Sequence, residues 1–282
     1  MDNIPRSILC RVCNTKMKYV CDADYMVGDI VIKTPFFECE DCDIFFRHIT
    51  ESQSKAHFKT VGYVQPEHRP QYFESRKAFF EYLLVLVENN AVNKDSITLT
   101  DFGCSYGHMI ELAKEKGMHV MGVEQDLSLV KASNKRGLDV YESVSDLPCN
   151  TDVFTMIDSL YYVSEPNKLI SQVREKMNAN GTLIIRMANR NFYSRITNFF
   201  KKEKSLTILG DCVISYSIKG IKKLLNGNGF TVVKIVPSNQ SHYKKKSLIL
   251  RLIYLMTFIL TYLVAKQIVF SPGVIYVAKR QS

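Results

Sequence analysis

The chain has 282 residues, 46% hydrophobic and 23% charged. That is enough to bury a full core, and it excludes a disordered or fibrous protein. The net charge of +9 is uneven: residues 212–282 hold eleven Lys/Arg and no Asp or Glu, so the basic character belongs to the carboxy-terminal quarter.

The first residues, MDNIPRSILCRVC, lack the basic and apolar regions of a secretion signal, so a cytoplasmic location is expected. Eight cysteines in that setting argue for metal or buried thiols over disulfides. Cys10-x-x-Cys13 and Cys39-x-x-Cys42 each form a knuckle that offers two thiolates to one ion, and two knuckles complete a tetrahedral structural zinc site. Residues 16–19 and 36–37 supply strands between them, and 44–46 pack after the second. Residues 1–47 therefore read as a small zinc ribbon with too little core to fold without its metal. Cys21, Cys104, Cys149 and Cys212 stand alone and read as buried small hydrophobes. Residues 48–92 are a helical connector: Tyr72, Phe73, Phe79, Phe80, Leu83, Leu84 and Val87 recur at helical spacing over 67–88.

Residues 97–124, ITLTDFGCSYGHMIELAKEKGMHVMGVE, read as strand, glycine turn, helix, strand. A glycine turn lets a ligand lie against bare backbone, and the helix amino terminus adds free N–H groups. Glu124 follows Gly103 by 21 residues, where a βαβ unit places a carboxylate to accept hydrogen bonds from ribose hydroxyls. Asp101-x-Gly103-x-x-x-Gly107 is not the dinucleotide fingerprint: Ser105 stands at the middle glycine, and no phosphate-binding lysine follows. A nucleoside cofactor without phosphate fits better. A turn with negative φ at Ser105 would accept the serine.

Helix and strand alternate after Glu124. A helix is predicted over 126–136 with Asp126 as its cap, and strands over 138–141 and 153–157, the latter ending at Asp158. A helix over 167–177, a strand over 182–187, a helix over 218–225 and strands over 229–236 and 273–279 follow. This is the α/β class: a Rossmann-like, mostly parallel, doubly wound sheet with its ligand crevice at the strand carboxyl ends, spanning residues 93–282. Residues 190–216 read as a lid over the acceptor.

The stretch DFGCSYGHMIELAKEKGMHVMGVEQD resembles motif I and the acidic motif II of class I S-adenosylmethionine (SAM)-dependent methyltransferases. With the preceding ribbon and the later EP, GTLIIRMAN and NGNGF stretches, residues 8–236 resemble a bacterial family associated with modified sugars and surface polysaccharides. The resemblance implies SAM as cofactor, with Asp101, Gly103, Ser105 and Gly107 as its loop. It also implies Glu124 as the ribose acid and Asp158 near the methionyl part. Tyr162 stands where many relatives carry histidine, which shifts an acid–base role to a phenol or marks lost activity.

Methyl transfer to a hydroxyl needs a base, whereas an amine needs only positioning. His108, Tyr161, Tyr162, Tyr193, Asp211 and Tyr216 lie near the expected crevice, with Tyr162 first on placement, and no catalytic residue is assigned. Arg186, Arg190 and Arg195 are read as lid-region bases that could meet a phosphate. The expected acceptor is thus a small anionic molecule, a sugar or saccharide intermediate. RNA or protein methylation and an inactive SAM-binding module are the alternatives, and the lysines lack the interleaved aromatics of a nucleic-acid groove. Residues 244–272 open with three lysines and continue as an apolar run. The final strand should return antiparallel beside 229–236, so the run must leave and return on one face. That fits peripheral contact with the cytoplasmic face of a membrane, a helix packed on the domain, or a homodimer contact.

Overall fold

Apolar runs too short for helices and rich in Val, Ile, Leu and Phe pair into a seven-stranded sheet. The computed structural model describes residues 8–27, 30–50, 52–54, 69–192, 211–238 and 271–281, with positions 255, 256, 259 and 269 between the last two. Its strands are β1 (Lys18–Val27), β2 (Ile30–Cys39), β3 (Ile44–Arg47), β4 (Thr98–Phe102), β5 (His119–Val123), β6 (Val140–Tyr141), β7 (Thr151–Ile157), β8 (Met177–Ala188), β9 (Ile214–Tyr216), β10 (Phe230–Ser238) and β11 (Gly273–Arg280). The helices are α1 (Arg69–Asn90), α2 (His108–Glu115), α3 (Leu127–Asn134), α4 (Pro166–Glu175) and α5 (Ile218–Gly227).

The large sheet has the order β10-β11-β8-β7-β4-β5-β6. β8 to β6 run parallel, and β11 lies antiparallel between β8 and β10, as the sequence reading expects for the last strand. One apolar cluster covers the face under α1 and α2, with Leu83, Leu99, Ile110 and Ile275 fully buried. Another covers the opposite face under α4 and α5, with Phe154, Ile170, Leu224 and Tyr276. Each fully buried Leu or Ile contributes about 1.5–3 kcal/mol, so the two clusters hold the sheet between helix layers. α3 is capped by Asp126, whose carboxylate accepts from Ser128 N–H, as expected.

Cys10, Met17, Phe37, Cys39, Cys42, Ile44 and Phe46 belong to the second cluster, so the ribbon's apolar side continues into that of the sheet. In the segment read as a ribbon, β1 pairs antiparallel with β2, and β3 extends the pair. Its fourth strand is β9, from the far end of the stretch read as a lid. That end of the lid is therefore sheet: Ile44 pairs with Tyr216 and Phe46 with Ile214, burying all four side chains. Residues 193–210, including Tyr193 and Arg195, lie outside the described residues, as does most of 244–272.

Candidate functional site

The strand order reverses between β4 and β7, and their carboxyl-end loops meet there. Gly103 has φ +73, and a Cβ on it would stand 2.6 Å from the Ser159 Cβ. Only glycine supplies both the left-handed backbone and the missing atom. Ser105 also has positive φ, +52, against the negative value expected for it. Its N–H donates to Glu124 Oε2 at 2.9 Å, an acceptor that holds the loop in this sparsely populated conformation. Glu124 Oε1 accepts from Asp126 N–H at 3.0 Å. Burial raises the Glu124 carboxyl above its ordinary range, opposed by those backbone donors. A carboxylate has about four acceptor sites, more than these backbone donors fill.

Glu124 opens onto a cleft of about 490 Å³, the size of a small-molecule site. Phe102 and Gly103 of the turn, Glu142, Ser143 and Val144 after β6, and Ser159, Tyr162 and Val163 after β7 line it. Lys168, Leu169 and Gln172 of α4 make a wall, and Ile49, Thr50, Ser54 and Val213 are also among the lining residues. The sequence reading missed the segment after β6, α4 and Ile49, Thr50 and Ser54. Glu142 to Val144 were findable, because the loop after the third parallel strand adjoins the crevice in any doubly wound sheet.

Asp101 and Gly107 stand behind the turn. Gly107, φ +74, packs so that an added Cβ would meet Leu138 Cδ1 at 2.6 Å. Asp101 is buried, accepts from Thr155 Oγ1 at 2.7 Å, and burial pushes its carboxyl up to about 7. Asp158 is outside the cleft lining, with φ +56 and its carboxylate ion-paired with Arg186, while Arg76 Nη2 lies 3.5 Å from its other oxygen. Arg76 is buried against Tyr72 and Phe80, and its Nε and Nη2 have no hydrogen-bond partner among the described residues. Sequence reading missed Arg76, since a lone arginine in an aromatic helix looks like a solvated one.

Two of the three arginines read as phosphate-binding, Arg186 and Arg190, are committed elsewhere. Arg186 is buried at the end of β8 against Asp158. Arg190 pairs with Asp43 at 2.8 Å and lies 4.2 Å over the Phe45 ring, because it fastens the second cysteine knuckle. His108 is packed among Tyr72, Phe73 and Tyr106, and Tyr216 is buried in the core shared with the ribbon. Tyr161 packs partly buried against the same core. Tyr162 lines the cleft, and its phenol donates to Asp211 Oδ2 at 2.9 Å.

The four thiols of Cys10, Cys13, Cys39 and Cys42 converge, their Sγ atoms all within 4.8 Å of one another. Cys10–Cys42 is 3.8 Å and Cys13–Cys39 is 3.6 Å. Tetrahedral zinc with Zn–S near 2.3 Å requires S···S of about 3.8 Å. Asn14 and Asp43, each following the second cysteine of a pair, have φ +62 and +52, which Asn and Asp tolerate best among residues with a side chain. The donor set and spacing fit zinc.

Residues 67–235 match the family described as a methyltransferase domain. No protein of curated function matches the chain. Solved structures share the fold. A SAM-dependent methyltransferase from Archaeoglobus fulgidus is 21% identical, with TM-score 0.50, over 73% of this chain and 95% of that one. The plantazolicin methyltransferase BamL, solved with a triazolic desmethylPZN analog and SAH, is 15% identical, with TM-score 0.52, over 82% and 95%. A Haloferax volcanii complex of a methyltransferase with the activator Trm112 is 10% identical, with TM-score 0.52, over 76% and 94%.

Proposed function

Because the chain belongs to the methyltransferase-domain family, we propose that the cleft beside Glu124 holds SAM and that the protein methylates a small anionic acceptor, a sugar or saccharide intermediate. The observation that carries the cofactor assignment is Glu124, fixed by two backbone N–H groups and open to the cleft with the lone pairs that ribose hydroxyls need. Gly103, Ser105 and Gly107 would shape the turn beneath the nucleoside. Asp101, behind the turn, would meet the methionyl ammonium, and the Arg76 guanidinium its carboxylate. Asp158 supports that end by holding Arg186 and Arg76 in place. Zinc would sit on Cys10, Cys13, Cys39 and Cys42.

SAM supplies an activated methyl on a sulfonium. The chain's part is to position the acceptor and accept its proton. The Tyr162 phenol donates to Asp211, so it would take the acceptor's hydroxyl proton as its own proton passes to the carboxylate. Lys168 on the cleft wall provides a cation for an anionic acceptor. Methyl transfer from labelled SAM to nucleotide-linked sugars, lipid-linked sugars, RNA and protein tests this reading. The expected product is saccharide. Tyr162→Phe should lower its rate by about 10²–10³ with SAH affinity unchanged. Methylation confined to RNA or protein overturns the acceptor, and SAH binding with no transfer to any of them supports an inactive module.

Asp101 makes cofactor binding depend on pH. Its carboxyl is raised to about 7, so below that pH the free protein holds it neutral. An ammonium ligand requires the carboxylate, so binding then expels a proton. SAH affinity should fall as pH drops from about 7 toward 5.5, by up to about tenfold per unit, and level off above 7. Calorimetry in buffers of different ionisation heat reads the expelled proton directly.

Residues 244–272 carry the membrane reading. Ser238 and Gly273 are register partners, so the chain leaves and re-enters the sheet at one corner. Leu255 and Met256 are more than half exposed, and no helix among the described residues is long and apolar enough to cross a membrane. Peripheral contact of this segment with the cytoplasmic face of a membrane, through an interfacial helix or hairpin beside the basic cluster Lys244, Lys245 and Lys246, is the reading proposed. Flotation with anionic liposomes should be lost when the three lysines become glutamines. A protein that never floats and sediments as a dimer instead assigns the segment to a homodimer contact.

A further inference from the structure

The cysteine knuckles do not sit apart from the cleft. Asn167, the second residue of α4, donates through Nδ2 to the carbonyls of Arg11, at 2.8 Å, and Val12, at 3.2 Å. Those are the two residues inside Cys10-x-x-Cys13. The Asn167 Oδ1 accepts from Asn228 at 2.8 Å, so the amide is fixed at both ends. The next residues of α4 are the cleft wall: Lys168, Leu169 and Gln172. An exposed ion pair, Arg11 with Glu165 at 2.9 Å, spans the same joint and adds little by itself.

A second path runs from the other knuckle. Asp43, directly after Cys42, accepts Ser217 N–H on its carbonyl at 3.3 Å and holds Arg190 through its carboxylate. β3 then pairs with β9, and beyond it Arg47 N–H donates to Val213 O at 2.7 Å. Val213 N–H donates to Tyr161 O at 2.9 Å, next to Tyr162 in the cleft. The approach is close along this path: a Cβ on Gly220 of α5 would meet the Cys42 carbonyl at 2.9 Å and run into Ile44. Each knuckle thus reaches a different wall of one cleft. The backbone inside the first knuckle is a short turn with few hydrogen bonds of its own, Cys10 N–H to Thr15 O and Asn14 N–H to Cys10 O among them. A metal crosslink is what would give its carbonyls a fixed position.

We propose that the metal on Cys10, Cys13, Cys39 and Cys42 positions the cofactor cleft, with Asn167 as the positioning residue that transmits it to α4, so that cofactor affinity depends on metal occupancy. The proposal rests on the SAM reading of the cleft. Without metal the Arg11 and Val12 carbonyls lose their place, and the amino-terminal turn of α4 loses the partners that orient it. Apparent affinity then drops in proportion to the fraction of molecules that keep the wall in place.

The test measures SAH binding by calorimetry to the zinc-loaded full chain, to the same protein after chelation, and to Asn167→Ala, with zinc content assayed in each. Asn167 is no thiolate ligand and does not line the cleft, so N167A should keep its zinc. The expected result is a Kd about tenfold or more higher after chelation and several-fold higher in zinc-loaded N167A. Chelating N167A should then cost less than chelating the wild type, because the two changes cut one path. Amide exchange supplies a second readout: chelation should speed exchange over 166–172 and leave β4 and β5 protected. Unchanged SAH affinity in zinc-loaded N167A, or in metal-free protein whose β4 and β5 remain protected, overturns the proposal while leaving the SAM reading intact. Absence of SAH binding by the zinc-loaded wild type overturns the SAM reading and this proposal with it.

Discussion

Replacing Glu124 with alanine should lower SAH affinity by about 100-fold or more, near 3 kcal/mol, at the upper end of what loss of hydrogen bonds to a charged acceptor removes. Two effects combine. Ribose hydroxyls lose their charged acceptor, and the N–H groups of Ser105 and Asp126 lose theirs. Ser105, left at φ +52 without that bond, has reason to relax, which moves the turn under the nucleoside. Glu124→Gln should be nearly as damaging. Both carboxylate oxygens accept from backbone N–H, so a glutamine must aim its NH₂ at a donor. Calorimetry with SAH checks both variants. A glutamine variant with wild-type affinity would contradict the geometry, even if alanine were impaired.

Arg186→Met should destabilise the protein by about 3 kcal/mol, the low end for removing one partner of a buried ion pair. The Arg186 side chain is 5% exposed and that of Asp158 15%, so the carboxylate would lose its nearer guanidinium and keep Arg76 at 3.5 Å. The lost position over the Phe79 ring adds to the cost. For a chain of this size the melting temperature should fall by roughly 6–12 °C. Adding Asp158→Asn should restore part of it, since the stranded charge is what costs most. A single variant that melts with the wild type would mean the pair is hydrated and contributes nothing.

What could be read in the sequence was local. The Asp101, Gly103, Gly107, Glu124 spacing lies within one βαβ unit, and each cysteine pair within one knuckle, so neighbours in the chain are neighbours in space. The strand alternation after Glu124 was legible for the same reason, and hydrophobic periodicity placed α1 within two residues of its start. What stayed hidden depends on residues far apart in the chain. Nothing local to Ile44 announces that Tyr216 will pair with it, so the ribbon looked smaller than the shared core it joins. Asp22, Asp24 and Lys33 disguised a pair of ten-residue strands, which carry the Asp24–Lys33 ion pair. Arg186 and Arg190 looked like free phosphate ligands because the carboxylates that hold them, Asp158 and Asp43, come from distant segments. Ser105 was misjudged for a different reason: φ is set by the Glu124 acceptor across the turn, not by the serine itself.

The structure of the zinc-loaded protein with SAH bound tests the central claim most directly. The ribose hydroxyls should lie against the Glu124 carboxylate, the adenine toward Val144 and Leu169, and the sulfur on the side of Tyr162. SAH elsewhere on the protein, or a cleft still empty at saturating SAH, would contradict the account.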